Sequence, residues 1–307
     1  MFDKNKYGKV LVPMVTPFKE NQNVDYEAAV SIAERLISEK KADSIILTGT
    51  TGEFFTMNFQ ERVRLFETIK EAVGDKIPLI AGTGCASTVE TIALSKKAEE
   101  LGFEVVMVVA PYYTKPNQKQ LYNHYKMLSD EVSISIMLYN IPIFTGVNLN
   151  PETVAELAKI DNIVAIKDEA ELNVKQITEF INVTPNDFII YNGDDTMIIE
   201  TYAQGGKDRI GGVVSGQAHL IGDRIRDMID FFLAGEVQKA AEMQQSFLPL
   251  FRIMGQNNRL NPVALLKDAM RMIGYNSGFP RLPLTPGAEA EKAEVKIMME
   301  KLNILLS

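Results

Sequence analysis

Short β-rich apolar runs alternate along this chain with longer stretches whose apolar positions recur every three or four residues. Strands are predicted over Val10–Val15, Ser44–Thr48, Pro78–Ala81, Val105–Val109, Ile134–Tyr139, Ile163–Lys167, Phe188–Tyr191 and Ile210–Val214. Helical patterns fill the intervals, among them Tyr26–Glu39, Gln60–Val73, Thr88–Leu101 and Pro151–Lys159. Asn150 and Pro151 suit a helix start, and Gly102 suits a helix end. Eight strand–helix units predict an α/β fold, a (β/α)8 TIM barrel. A doubly wound open sheet is the alternative, but no G-x-G-x-x-G follows the first strand. Strands cease after about Ala234, and helices are expected over Gly235–Met254, Asn261–Ile273 and Gly287–Leu305, with a loop over Gly274–Pro286. The chain reads as a (β/α)8 catalytic barrel over residues 1–234 and a C-terminal helical extension over 235–307, packed on the barrel without a linker.

One strand breaks the apolar pattern. In Asn162-Ile163-Val164-Ala165-Ile166-Lys167-Asp168, alternation places Ile163, Ala165 and Lys167 on one face, so an apolar face ends in an ammonium group. Burial is expected to lower the pKa of that amine and leave more of it neutral, able to attack a carbonyl. The competing reading is a strand-end lysine reaching out to solvent.

Composition narrows the partners. With 307 residues the chain can bury a large core, and 46% hydrophobic with 23% charged residues is ordinary for a soluble globule. A net charge of -8 with no strongly basic segment argues against nucleic acid. The longest apolar run, Val105 to Pro111, is too short to span a bilayer, and the start offers no signal-peptide core. A single Cys85 forbids an internal disulfide and fits a reducing cytoplasm, so a cytoplasmic location is expected. His124 and His219 are the only histidines, so a His-rich metal centre is not expected.

In such a barrel chemistry sits at the C-terminal strand ends, and several of these are polar or constrained. After the second strand comes Gly49-Thr50-Thr51-Gly52-Glu53, where glycines permit close backbone approach and consecutive amides can hold a carboxylate or phosphate; a plain turn is the alternative. Tyr139-Asn140-Ile141-Pro142 follows the fifth strand, and a phenol there could move protons or simply pack. Pro111-Tyr112-Tyr113 follows the fourth and could form a lid, a subunit contact or loop packing. Gly193-Asp194-Asp195 invites a metal reading, though a helix cap is the simpler one. Gly211-Gly212 could cradle a phosphate, without other support.

These segments together, with Thr16-Pro17-Phe18, Ala81-Gly82-Thr83-Gly84, Ile166-Lys167-Asp168 and Arg281-Leu282-Pro283-Leu284, resemble the dihydrodipicolinate synthase / N-acetylneuraminate lyase family of pyruvate-dependent class I aldolases. The resemblance implies a homotetramer built as a dimer of dimers, and no cofactor beyond a covalent Schiff base of pyruvate on Lys167. It implies that Thr50 and Thr51, with Gly49, hold the pyruvate carboxylate by backbone amides. It makes Tyr139 the proton shuttle, linked through Thr50 to Tyr113 from a neighbouring subunit. The partners it implies are a small keto acid and an aldehyde, with no metal, nucleic acid or membrane.

One departure bears on the aldehyde. Family members that use aspartate semialdehyde carry an arginine two residues after the proline of Y-N-x-P, to clamp a carboxylate; here Phe144 stands there. Losing such a contact costs about 1.5–3 kcal/mol, more if the anion is desolvated. The expected activity is therefore reversible cleavage of a 2-keto-3-deoxy sugar acid to pyruvate and an aldehyde. The alternative is 4-hydroxy-tetrahydrodipicolinate synthase, condensing pyruvate with aspartate semialdehyde for lysine biosynthesis. A catalytically silent keto-acid-binding regulator is the reading from a different class. Ala86 stands where lysine-sensitive members have asparagine, although Glu90 is kept, so lysine feedback is not expected.

Overall fold

The computed structural model describes residues 3–169, 174–255 and 261–305. Eight parallel strands follow one another in chain order around a closed barrel. They are β1 (Val10–Pro13), β2 (Ser44–Leu47), β3 (Leu79–Gly82), β4 (Val105–Val109), β5 (Ser135–Asn140), β6 (Ile163–Asp168), β7 (Ile189–Asn192) and β8 (Ile210–Val214). Nearly every strand residue is buried, which is why the strands read as continuous apolar runs rather than as alternation. Helices separate them, and Val237–Met254, Val263–Met272 and Glu289–Lys301 form the expected C-terminal group. No described helix is long and apolar enough to cross a membrane.

Several strand boundaries differ from expectation by one residue in the same direction. β5, β6 and β7 run on to Asn140, Asp168 and Asn192, polar residues that read as loop. They stay in the ladder because their side chains are satisfied locally. Asn140 Nδ2 donates to Asp168 Oδ1 at 2.9 Å, and Asn192 Nδ2 donates to the Asp194 carbonyl at 2.7 Å. β1 instead stops early, at Pro13 rather than Val15.

The chain forms two compact units. The first comprises residues 1–9 and 79–214, and so holds β3 to β8. Its register is continuous across the strands that matter below: Val109 pairs with Tyr139, Tyr139 with Lys167, and Lys167 with Tyr191. The glycines of β8 serve packing. A Cβ on Gly211 would lie 2.5 Å from the Tyr191 ring, and one on Gly212 would lie 2.3 Å from the Lys9 carbonyl oxygen. These contacts explain both glycines without a phosphate.

The second unit comprises residues 10–78 and 215–307, joining β1 and β2 to the C-terminal helices. At its centre lies a fully buried ion pair between Lys267, on helix Val263–Met272, and Glu53, after β2. The Lys267 ammonium also donates to the carbonyls of Thr16, at 2.7 Å, and Phe279, at 2.8 Å. Glu53 accepts from the Arg281 amide at 2.8 Å, and the Arg281 guanidinium grips both carboxylate oxygens of Glu61. Burial pulls the Lys267 pKa down to about 8, with Glu53 opposing, and burial pushes the Glu53 carboxyl up against the pull of Lys267. His219 is neutral here, pushed down to about 4 by burial: Nε2 accepts from the Val15 amide at 3.2 Å and Nδ1 donates to the Gly216 carbonyl at 2.8 Å.

Removing one partner of such a pair leaves an uncompensated buried charge. Lys267→Ala is expected to cost about 3–5 kcal/mol of stability, read as a lowered midpoint in urea. A midpoint unchanged from the parent would mean that Glu53 finds compensation elsewhere.

Candidate active site

Lys167 lies at the C-terminal end of β6 and is only 5% exposed. The sequence placed it there, and register explains its neighbour: Tyr139 of β5 is its direct partner in the ladder and is 2% exposed. The ammonium sits 4.0 Å from the centre of the Tyr139 ring. A third group joins them. Glu169 Oε2 is 3.1 Å from Lys167 Nζ, and the Tyr139 hydroxyl donates to the same oxygen at 3.1 Å. Sequence reasoning missed Glu169 because the strand was taken to end at Lys167. Carrying the two-residue period one step further would have placed it on the lysine's face.

That carboxylate corrects the expected electrostatics. Burial does disfavour the Lys167 ammonium, but the Glu169 charge and the Tyr139 phenol outweigh it and raise the amine above its ordinary range. Lys167 is thereby held as an ammonium ion, which has no free lone pair until that proton leaves.

Gly193, after β7, closes the lysine stem from another side. Its amide donates to the Asp168 carbonyl at 2.8 Å, and a Cβ there would lie 2.6 Å from Lys167 Cε and 2.9 Å from Glu169 Cβ. Of the two carboxylates that follow, Asp194 is a local cap: its Oδ1 accepts from the Thr196 amide at 2.8 Å. Among the described residues no group of three or more His, Cys, Asp or Glu side chains is placed to hold a metal ion.

On the opposite face of β6, Asp168 is 4% exposed and held by amides alone. Asn140 Nδ2 and Gln176 Nε2 donate to its Oδ1 at 2.9 and 3.0 Å. Asn140 and Gln176 also bond Asn148, at 2.8 and 3.2 Å, and Asn140 Oδ1 accepts from the Leu149 amide at 2.9 Å. This network pins the segment after β5, which holds the short helix Pro142–Thr145 and Phe144, 38% exposed. Burial pushes the Asp168 carboxyl up to about 7, against the pull of Asn140 and Gln176.

Tyr113, on the loop after β4, is 90% exposed and has a φ of 75°. Gly49, Thr50 and Thr51 belong to the second unit, at the C-terminal end of β2. There the Glu53 amide donates to the Thr50 carbonyl at 3.0 Å, closing a tight turn, and Thr16 Oγ1 donates to the Gly52 carbonyl at 2.7 Å. Cys85 is buried, and Thr88 Oγ1 meets His124 Nδ1 at 2.8 Å.

Comparison with known proteins bears on the chemistry. Residues 6–302 match the dihydrodipicolinate synthetase family. The 4-hydroxy-tetrahydrodipicolinate synthase of Desulforudis audaxviator is 42% identical over 97% of this chain and 99% of its own length. A solved dihydrodipicolinate synthase of Bacillus anthracis superposes with a TM-score of 0.90 at 37% identity, covering 98% of this chain and 99% of that one. The enzyme of Cyanidioschyzon merolae, solved with lysine bound, gives a TM-score of 0.91 at 36% identity over 97% of this chain and 99% of that one.

Two outcomes test this geometry. Gly193→Ala forces the lysine stem aside and is expected to slow any reaction at Lys167 by about 100-fold or more, since misplacement of about 1 Å costs that much. A rate within a few-fold of the parent would show that the stem has room to move. Asp168 has its folded pKa raised above the ordinary carboxylate value of 3.8 to about 7. Its contribution to stability is therefore full below pH about 4 and is lost as pH rises through about 7, at no more than about 1.4 kcal/mol per pH unit. Asp168→Asn is expected to flatten the dependence of unfolding free energy on pH across that window, and parallel curves would refute the assignment.

Proposed function

The chain belongs to the dihydrodipicolinate synthetase family of class I, Schiff-base-forming carbon–carbon lyases, and from that premise we propose that it joins pyruvate, held on Lys167, to aspartate semialdehyde, the 4-hydroxy-tetrahydrodipicolinate synthase reaction. The observation that supports this most directly is the buried Lys167–Tyr139 pair, aligned by strand register. A Schiff base needs a nucleophilic amine in a water-poor setting with a proton carrier beside it. Once formed, the iminium accepts the electron pair left when a methyl proton departs, and the resulting enamine attacks the aldehyde carbon. Tyr139 supplies and removes the protons of these steps. Thr50 and Thr51, with Gly49, take the pyruvate carboxylate through backbone amides, as in the family. Tyr113 completes the proton relay from a second copy of the chain in a homotetramer. No metal or other cofactor enters these steps.

The aldehyde divides two readings. Relatives at about 40% identity over almost the full chain support aspartate semialdehyde. The stem of a lysine also lies against the segment after β5: a Cβ on Gly146 would be 3.0 Å from Lys115 Cε. Phe144 itself favours the second reading, cleavage of a 2-keto-3-deoxy sugar acid, because a phenyl ring offers an anionic aldehyde nothing. Both readings share the Lys167 adduct.

Offered pyruvate with aspartate semialdehyde and glyceraldehyde together, the protein is expected to form chiefly the aspartate semialdehyde product by mass spectrometry, and Lys167→Ala to form neither. A dominant glyceraldehyde product would replace the first reading by the second. Product formation by Lys167→Ala at the parent rate would remove both.

A further inference from the structure

The resting site contains a carboxylate that the lysine and tyrosine chemistry has not yet used. We propose that Glu169 is a catalytic residue that takes the proton from Lys167 before the amine attacks, and gives it to the departing hydroxyl when water leaves. The proposal rests on the Schiff-base reading and holds for either aldehyde.

The argument is geometric first. One oxygen, Glu169 Oε2, meets both Lys167 Nζ and the Tyr139 hydroxyl at 3.1 Å. Lys167 and Tyr139 are buried, whereas the Glu169 side chain retains 30% of its exposure. The proton acceptor is thus the member of the trio with access to water. Gly193 leaves no room on its side of the lysine stem, and a Cβ there would touch both Lys167 and Glu169. Among the described residues, the titratable groups that act on Glu169 or respond to it are Lys167, Tyr139 and Asp168, the last from the opposite face of β6. The raised basicity of Lys167 makes an acceptor necessary, because an ammonium ion has no lone pair to donate.

The step balances. Transfer of one proton converts the ammonium–carboxylate pair into an amine and a carboxylic acid. The amine lone pair forms a bond to C2 of the keto acid, and a nitrogen proton passes through Tyr139 to the former keto oxygen, giving a neutral carbinolamine. The Glu169 acid then protonates that hydroxyl, the C–O bond breaks, water leaves and the nitrogen lone pair closes the iminium. An ammonium ion and a ketone have become an iminium ion and water. Glu169 is again a carboxylate, now beside a cation.

Internal proton transfer leaves a distinct mark on the pH profile, because moving a proton between two groups changes no net protonation. The test is the rate at which pyruvate becomes trapped on the full-length protein by cyanoborohydride, followed by intact mass between pH about 6 and 9. The parent is expected to show a nearly flat profile. Glu169→Gln, almost the same shape, must lose the lysine proton to solvent. It is expected to be at least about tenfold slower at pH 7, with a rate that rises about tenfold per pH unit. Glu169→Asp keeps a carboxylate and is expected to restore the flat profile at a reduced rate, which a purely structural role would not do. Thermal melting of each variant guards against misfolding. Trapping by Glu169→Gln that matches the parent in rate and profile would overturn the proposal. So would faster trapping at neutral pH, which would show that Glu169 merely holds the proton on the lysine. Failure of the parent to trap pyruvate, or trapping by Lys167→Ala, would remove the Schiff-base reading itself.

Discussion

An ammonium group shut inside a sheet has to be met by an anion, and this requirement organises the first unit. The desolvation penalty of an unpaired buried charge is several kcal/mol, comparable to a large part of a domain's net stability. The residue just past the end of β6 meets it, since Glu169 keeps the two-residue alternation and so falls on the side of Lys167. The ladder then does the rest. With Tyr139 opposite Lys167, the phenol arrives at the same carboxylate oxygen without any special loop. The buried ammonium, the phenol beside it and their shared counter-charge are therefore consequences of register on adjacent strands, which is the most rigid framework a barrel offers.

The second unit solves the same problem to a different end. Lys267 and Glu53 are both fully buried; the Lys267 ammonium donates to two backbone carbonyls and the Glu53 carboxylate, which itself accepts from a backbone amide. Nothing in that arrangement is exposed to a reactant, and its partners tie the turn after β2 to the C-terminal helices. The contrast is instructive. A buried lysine whose counter-ion is also sealed off is a structural fastener; one whose counter-ion reaches water can exchange its proton.

Much of this was legible in the sequence. Eight apolar runs set the barrel, because a parallel strand covered on both faces is apolar throughout, and the polar strand ends marked where chemistry would gather. Lys167 and Tyr139 were legible because each interrupts such a run. Glu169 was not, since a glutamate beside loop residues looks like solvent-facing chain until the strand's last residue is known. Nor was the Asn140–Asp168–Gln176 network, because Asn140 and Asp168 lie far apart in sequence and meet only through pairing of β5 with β6, and Gln176 reaches them from the helix Val174–Val183. The direction of the Lys167 pKa was misread for the same reason: burial was visible in the sequence, and the charge that opposes it was not. Phe144 marks the limit of reading by substitution, because the sequence shows the arginine that is missing but not which side chains, such as the Lys115 stem against Gly146, lie beside the same loop.

Tyr113 has a further consequence. A bulky residue held at a φ of 75° stores strain of order 1 kcal/mol, and a ring left 90% exposed recovers none of it by packing. The loop after β4 is in this sense cocked. That cost is already met in the folded chain, so a surface that receives the phenol without moving the backbone adds no strain of its own. A surface that lets the φ relax regains the stored energy, and that difference favours the second kind of contact over the first.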